Sequence, residues 1–216
     1  MKIWYIIPAR AGSKGLPYKN RKLFEYTAKT IPKDAAGQVI VTSDDDHILS
    51  LGSHFGFTCI KRPDHLSCDN SSTRDVLQHT ADQLNIPDGD LVVLLYLTYP
   101  SRRWSDVQRA VSFFLSNQAK SLLCRKPVKD SPYLMMFEEE NITGSKVIDH
   151  DLCRRQDYRN TFVMSHFIGV FQVRELELLD TNLWNRATIF MPISEKIDVD
   201  SHTDLSKYLM EKKDEC

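Results

Sequence analysis

A chain of 216 residues, 42% hydrophobic and 26% charged, has the composition of a globular protein with one sizeable core. Its 28 Lys and Arg nearly balance its 29 Asp and Glu, for a formal charge of −1, so no global basic field argues for a nucleic-acid partner. Neither a secretory leader nor an apolar run of membrane-spanning length is visible, and five scattered cysteines, Cys59, Cys68, Cys124, Cys153 and Cys216, lack Cys-x-x-Cys spacing, which fits reduced thiols in a cytoplasm and argues against zinc.

Residues 3–7 form an apolar run bounded by Pro8 and read as a buried strand. The strand empties into a loop reaching Asn20 that holds Gly12 and Gly15 with the cations Arg10, Lys14 and Lys19. Ser13 and Asn20 add neutral hydrogen-bonding groups. The glycines are expected to allow positive φ and close backbone approach to a ligand. A buried strand feeding a cationic glycine loop suits a polyphosphate. The spacing is neither Gly-x-x-x-x-Gly-Lys-Ser/Thr nor Gly-x-Gly-x-x-Gly, and a solvated basic loop is the competing reading.

Residues 23–30 follow as a short helix stopped by Pro32. Residues 39–41 are a second strand. After it, Asp45 and Asp46 read as caps of the next helix rather than as metal ligands. Residues 57–60 are a third strand, followed by Arg62-Pro63 and a polar loop, and then by helical spacing from Val76 to Leu84. Residues 91–95 are five consecutive aliphatics, the pattern of a central parallel strand buried on both faces. A helix over residues 107–115 is expected to start at Ser105, and residues 121–124 are a further strand. Alternating strands and helices imply a parallel sheet with crossover helices, whose ligands sit beyond the strands' carboxyl ends. The loops that start at Pro8, Thr42, Lys61 and Tyr96 converge there.

Beyond Pro127 the pattern changes. Residues 133–137 and 146–148 suggest a hairpin around a solvated acidic turn, within an insertion-like arm at about 128–165 of an otherwise single domain. Residues 162–173 and 189–193 read as strands, and 201–210 as a terminal helix. Asp198 and Asp200 share one face of an extended segment. They suit a hard divalent cation, or Asp200 or Ser201 simply starts the last helix. His166, on an alternating strand, reads as a packed or hydrogen-bonded residue.

Five stretches, in order, resemble the acylneuraminate cytidylyltransferases, the CMP-sialic acid synthetases related to the CMP-Kdo synthetases. They are Ile-Pro-Ala-Arg-Ala-Gly-Ser-Lys-Gly-Leu-Pro-Tyr-Lys-Asn at 7–20, Val-Thr-Ser-Asp at 41–44, Arg-Pro-Asp-His-Leu-Ser-Cys-Asp at 62–69, Leu-Tyr-Leu-Thr-Tyr-Pro-Ser-Arg at 95–102, and Ile-Asp-Val-Asp at 197–200. The resemblance implies an α/β, Rossmann-like nucleotidyltransferase fold: a mostly parallel central sheet flanked by helices, with a small β-rich arm. It implies transfer of CMP from CTP to an acidic 2-keto-3-deoxy sugar with release of pyrophosphate, a need for Mg²⁺, and a homodimer. Carried over by position, Arg10, Ser13, Lys14, Lys19 and Asn20 would hold the triphosphate and its transition-state charge. Arg62, Asp69 and Thr73 would surround the cytosine and ribose. Asp198 and Asp200 would hold the metal, with Asp200 placed among the catalytic residues as well. Tyr96, Thr98, Arg102, Arg154, Arg155 and Gln156 would face the sugar. Tyr96 stands where the family has Gln, which points to a changed acceptor side. A related transferase with another nucleotide or acceptor, or a homologue without turnover, remains open.

Overall fold

The computed structural model describes residues 1–12 and 15–214, so the expectations for Ser13, Lys14 and Cys216 lie outside the described residues. Strands and helices alternate through the first half: β1 (Ile3–Pro8), α1 (Lys19–Ala28), β2 (Val39–Ser43), α2 (Asp46–His54), β3 (Thr58–Lys61), α3 (Thr73–Gln83), β4 (Leu91–Leu94), α4 (Trp104–Ser116) and β5 (Ser121–Pro127). The second half holds β6 (Met136–Glu138), β7 (Gly144–Lys146), β8 (Phe162–Gln172), β9 (Ile189–Pro192) and α5 (His202–Asp214). Seven strands form one sheet in the order β3-β2-β1-β4-β8-β5-β9.

Every residue of β2 and β4 is buried, as strands covered on both faces must be. One face packs under Phe24, Ile48, Val107 and Phe114. The other packs under Leu77, Ala81, Ile86 and Leu176. Parallel pairing of β1 with β2 and β4 brings Ile7 beside Val41 and Ile6 beside Leu94, so the carboxyl ends of three strands finish at one edge. The arrangement departs from all-parallel at β8, which runs antiparallel between β4 and β5. A long apolar run reports burial but carries no direction, so the sequence pattern could not reveal this reversal.

Local chemistry explains the helix starts. The Asp45 carboxylate caps α2, accepting from the His47 backbone N–H at 3.0 Å, whereas Asp46, expected to cap as well, is the first helical residue and pairs with Lys61 at 2.5 Å. The Ser72 hydroxyl accepts from the Asp75 N–H at 3.1 Å to start α3. The α4 expectation is corrected: its N-cap is Arg103, not Ser105, because the Asp106 carboxylate turns back to accept the Arg103 N–H at 3.0 Å. Such a reciprocal acid three residues on outweighs a serine already inside the first turn. Cys59 fills the space beside Gly52, where an added Cβ would stand 2.8 Å from its sulfur. Cys124 is buried, and burial pushes its thiol up to about 11. No described helix is long and apolar enough to cross a membrane.

The arm leaves the sheet after Pro127 and returns at Phe162, the two being paired across β5 and β8. It contains the antiparallel β6–β7 pair, both strands fully exposed. The acidic residues Glu138, Glu139 and Glu140 are solvated as expected.

Candidate active site

The loop after β1 is tied down before any ligand is considered. The Ala9 N–H donates to the Thr42 carbonyl at 3.0 Å, and the Ala11 N–H to the Asp44 carboxylate at 2.8 Å. Asn20 on α1 donates its amide to the Arg10 carbonyl at 2.8 Å, which fixes the loop's two ends together. The glycine expectation needs correction. Neither Gly12 nor Gly15 has positive φ; that conformation falls instead to Tyr18, at φ 56°, which starts α1 and aims Lys19 and Asn20 at the cleft. Gly15 is small for another reason: an added Cβ would lie 2.5 Å from the Asp200 carbonyl oxygen. The amino-terminal loop therefore rests directly on the segment that carries the paired acids.

That segment alternates as its sequence requires. Val199 is fully buried and donates its N–H to the Thr98 carbonyl at 2.8 Å, while Asp198 and Asp200 are exposed on either side of it and line the cleft. The start of α5 is capped by Ser201 and Asp204: the Ser201 hydroxyl accepts from the Asp204 N–H at 3.2 Å, and the Asp204 carboxylate accepts from the Ser201 N–H at 3.0 Å. Neither Asp198 nor Asp200 is consumed by the cap. Among the described residues no group of three or more His, Cys, Asp or Glu converges, and Asp198 and Asp200 stand in the cleft as a pair of carboxylates. Two carboxylates beside a phosphate-sized cationic loop fit Mg²⁺, which keeps water and substrate oxygens as its other ligands.

The cleft has a volume of about 400 Å³ and is lined by Arg10, Lys19, Asn20, Arg62, Asp69, Thr73, Tyr96, Thr98, Asp198 and Asp200. The cations from the start of the chain and the acids from its end meet there. Lys19 Nζ sits 2.5 Å from Asp200 Oδ1, and Arg10 Nη1 sits 2.6 Å from Asp69 Oδ1. The acids are more than half exposed (67% and 51%), so each pair is worth below about 1 kcal/mol and exchanges readily for a stronger anion.

Arg62 differs. It is 5% exposed, donates to the Thr42 carbonyl at 2.8 Å, and leaves its Nε without a protein partner. Burial pushes it down to about 10, still cationic at neutral pH. On the far wall the Tyr96 hydroxyl donates to Thr73 Oγ1 at 2.5 Å, and its ring meets His166 edge-on at 6.1 Å. Burial first, and Asp198 as well, raise the Tyr96 phenol, so it stays a neutral donor.

Residues 4–143 match the family model described as cytidylyltransferase. The chain belongs to the cytidylyltransferase family. N-acylneuraminate cytidylyltransferase of Escherichia coli O18:K1:H7 is 25% identical over 214 residues, covering 94% of this chain and 50% of that protein. Pseudaminic acid cytidylyltransferase of Campylobacter jejuni serotype O:2 is 29% identical over 161 residues, covering 65% of this chain and 69% of that protein. The chain thus spans about half the length of the first of these relatives. Among solved structures, CMP:2-keto-3-deoxy-manno-octonic acid synthetase complexed with CTP aligns over 100% of both chains with a TM-score of 0.71 at 15% identity, a likeness of fold.

Four residues expected to face the sugar do not line this cleft. Arg102 is 2% exposed and does not line the cleft. Its guanidinium donates to the Phe167 carbonyl at 3.1 Å and to the Thr27 hydroxyl at 3.4 Å, joining β8 to α1. Burial pushes it down to about 10. Arg154, Arg155 and Gln156 are exposed on the arm, outside the cleft, with Arg154 paired to Asp157 at 2.9 Å. Their charge and position along the chain could not show that the excursion carries them away from this wall. Conversely, Tyr99 and His166 line the cleft without having been assigned a role. Tyr99 is buried, and burial followed by the Asp198 charge raises its phenol. His166 is hydrogen-bonded to the Asn182 carbonyl at 3.0 Å, as its strand position suggested, yet its ring also reaches the cleft. The alternation of β8 around His166 was the available signal.

Proposed function

We propose that the chain transfers CMP from CTP to an acidic 2-keto-3-deoxy sugar and releases pyrophosphate. The supporting observation is the meeting of Arg10 and Lys19 with Asp198 and Asp200 in one cleft. Arg10, Lys19 and Asn20 would bind the triphosphate and the charge that builds on it as the sugar oxygen attacks the α-phosphorus and the bond to the β-phosphate oxygen breaks. Ser13 and Lys14 belong to the same loop in sequence and are proposed to share this task. Arg62, with its unpartnered Nε, and Thr73 would contact the base and ribose, with Asp69 holding Arg10 nearby. Asp198 and Asp200 would hold Mg²⁺, whose chemistry is charge neutralisation on the phosphates and acidification of the sugar hydroxyl. One of these carboxylates would accept the hydroxyl proton.

Tyr96 and Thr98 would face the acceptor, and the phenol at position 96 supports an acceptor different from that of relatives with an amide there. Sialic-like, pseudaminic-like and Kdo-like sugars all fit the class named by the relatives and the structural neighbour. A homodimer is proposed through the arm, where Met136, Phe137 and Ile142 are exposed. The four described thiols are free, which suits a cytoplasmic enzyme.

The test is pyrophosphate release from CTP and Mg²⁺ across a panel of such sugars, with UTP, GTP and ATP as comparison nucleotides. Release with CTP and one acidic sugar is expected. A folded protein that is stabilised by CTP but silent with every acceptor would instead be a binding homologue.

A further inference from the structure

We infer that Lys19 competes with the divalent cation for Asp200, so that nucleotide must draw the ammonium away before the metal binds well. The inference rests on the functional reading above for the identity of the metal and nucleotide. Its own ground is the placement of one side chain. Lys19 stands at the first position of α1, its N–H bonded to the Leu16 carbonyl at 3.0 Å, and its side chain is only 14% exposed. The stem is therefore enclosed, and the ammonium arrives at Asp200 Oδ1 at 2.5 Å.

Asp200 is equally constrained. Its carbonyl lies against Gly15, its N–H points to the Asp204 carboxylate at 3.3 Å, and the preceding Val199 is buried and bonded to Thr98. The backbone of Asp200 is thereby fixed, which keeps its carboxylate within reach of Lys19. An ammonium at bonding distance occupies one of the oxygens a hard cation would take and repels that cation as well.

A triphosphate changes the balance. It offers the ammonium an acceptor of higher charge, so one charge-assisted bond is exchanged for another and Asp200 Oδ1 is released. Metal and nucleotide binding then become coupled, and the coupling acts equally in both directions. Lys19 is a positioning residue toward the metal as well as a phosphate ligand, and the order of addition is nucleotide first or nucleotide together with metal.

Two affinities of the full chain test this. Mn²⁺ alone is titrated by the loss of its free-ion electron paramagnetic resonance signal, without nucleotide, and CTP is titrated calorimetrically without metal. Lys19→Met and Lys19→Gln should each tighten Mn²⁺ binding about two- to fivefold, the scale of an exposed ion pair, while weakening CTP binding. Adding Asp200→Asn to Lys19→Met should abolish the gain. These opposite signs are the signature, since a residue that merely organised the cleft would weaken both ligands when removed. Mn²⁺ affinity that is unchanged or lower in both folded variants, with CTP still bound by the wild-type chain, overturns this inference alone. Failure of the wild-type chain to bind CTP overturns the functional reading and the inference with it.

Discussion

All four residues of β4 are buried, whereas all three residues of β6 are exposed. The first strand lies in the middle of a seven-stranded sheet with helices on both faces; the second belongs to a two-stranded ribbon in the arm. The difference teaches where each kind of work is done. Burial holds the sheet rigid, and the cleft residues stand at its edge, on loops pinned by hydrogen bonds. The arm keeps large apolar groups such as Phe137 and Ile142 on its outside, so its sequence is shaped by something other than the core of this chain.

The largest expected effect is in the sheet. Leu94→Ala removes a fully buried side chain and should cost about 2–5 kcal/mol in urea unfolding. A loss below about 1 kcal/mol would break the comparison from the sheet's side. At the cleft, Arg10→Ala should lower kcat about 10²–10³-fold in the pyrophosphate assay, as removal of one donor to developing charge does, with little change in unfolding midpoint because its ion pair is exposed. Equal loss of stability and turnover would show that Arg10 serves the fold. Gly15→Ala should cost about tenfold or more in kcat, because the new methyl must push the loop off Asp200 and displacements of that size misalign reacting groups. Wild-type turnover in this variant would separate the loop from the acids. The smallest effect is expected in the arm: Phe137→Ala should leave monomer stability within about 0.5 kcal/mol. Its measurable consequence should be weaker self-association in sedimentation velocity, and a destabilisation equal to that of Leu94→Ala would erase the contrast between the two regions.

Much of the sheet was legible because its strands are short aliphatic runs separated by helices with clear apolar stripes. Leu91 to Leu95 announced a central strand, and Asp198-Val199-Asp200 announced its own alternation. The order β4-β8-β5 was not legible, since the residues of β8 specify burial on two faces and not which neighbours they pair with or in which direction. The cleft was legible where charge stands at the end of an element, as at Arg10, Lys19 and Asp200, which line it. It was misread where charge serves packing. Arg102 resembles a ligand contact in sequence, but its guanidinium holds a backbone carbonyl in the interior. Gly15 was read as freedom of φ, whereas its value lies in lacking a side chain beside the backbone oxygen of Asp200, 185 positions on, a proximity that only folding creates.

The excursion after Pro127 begins and ends on residues that already face each other across hydrogen-bonded strands. Whatever hangs from that doorway can lengthen, shrink or be exchanged while the ladder behind it stays closed. A descendant could acquire a new appendage there as a single replaceable cassette, at the same carboxyl edge of the sheet as the cleft.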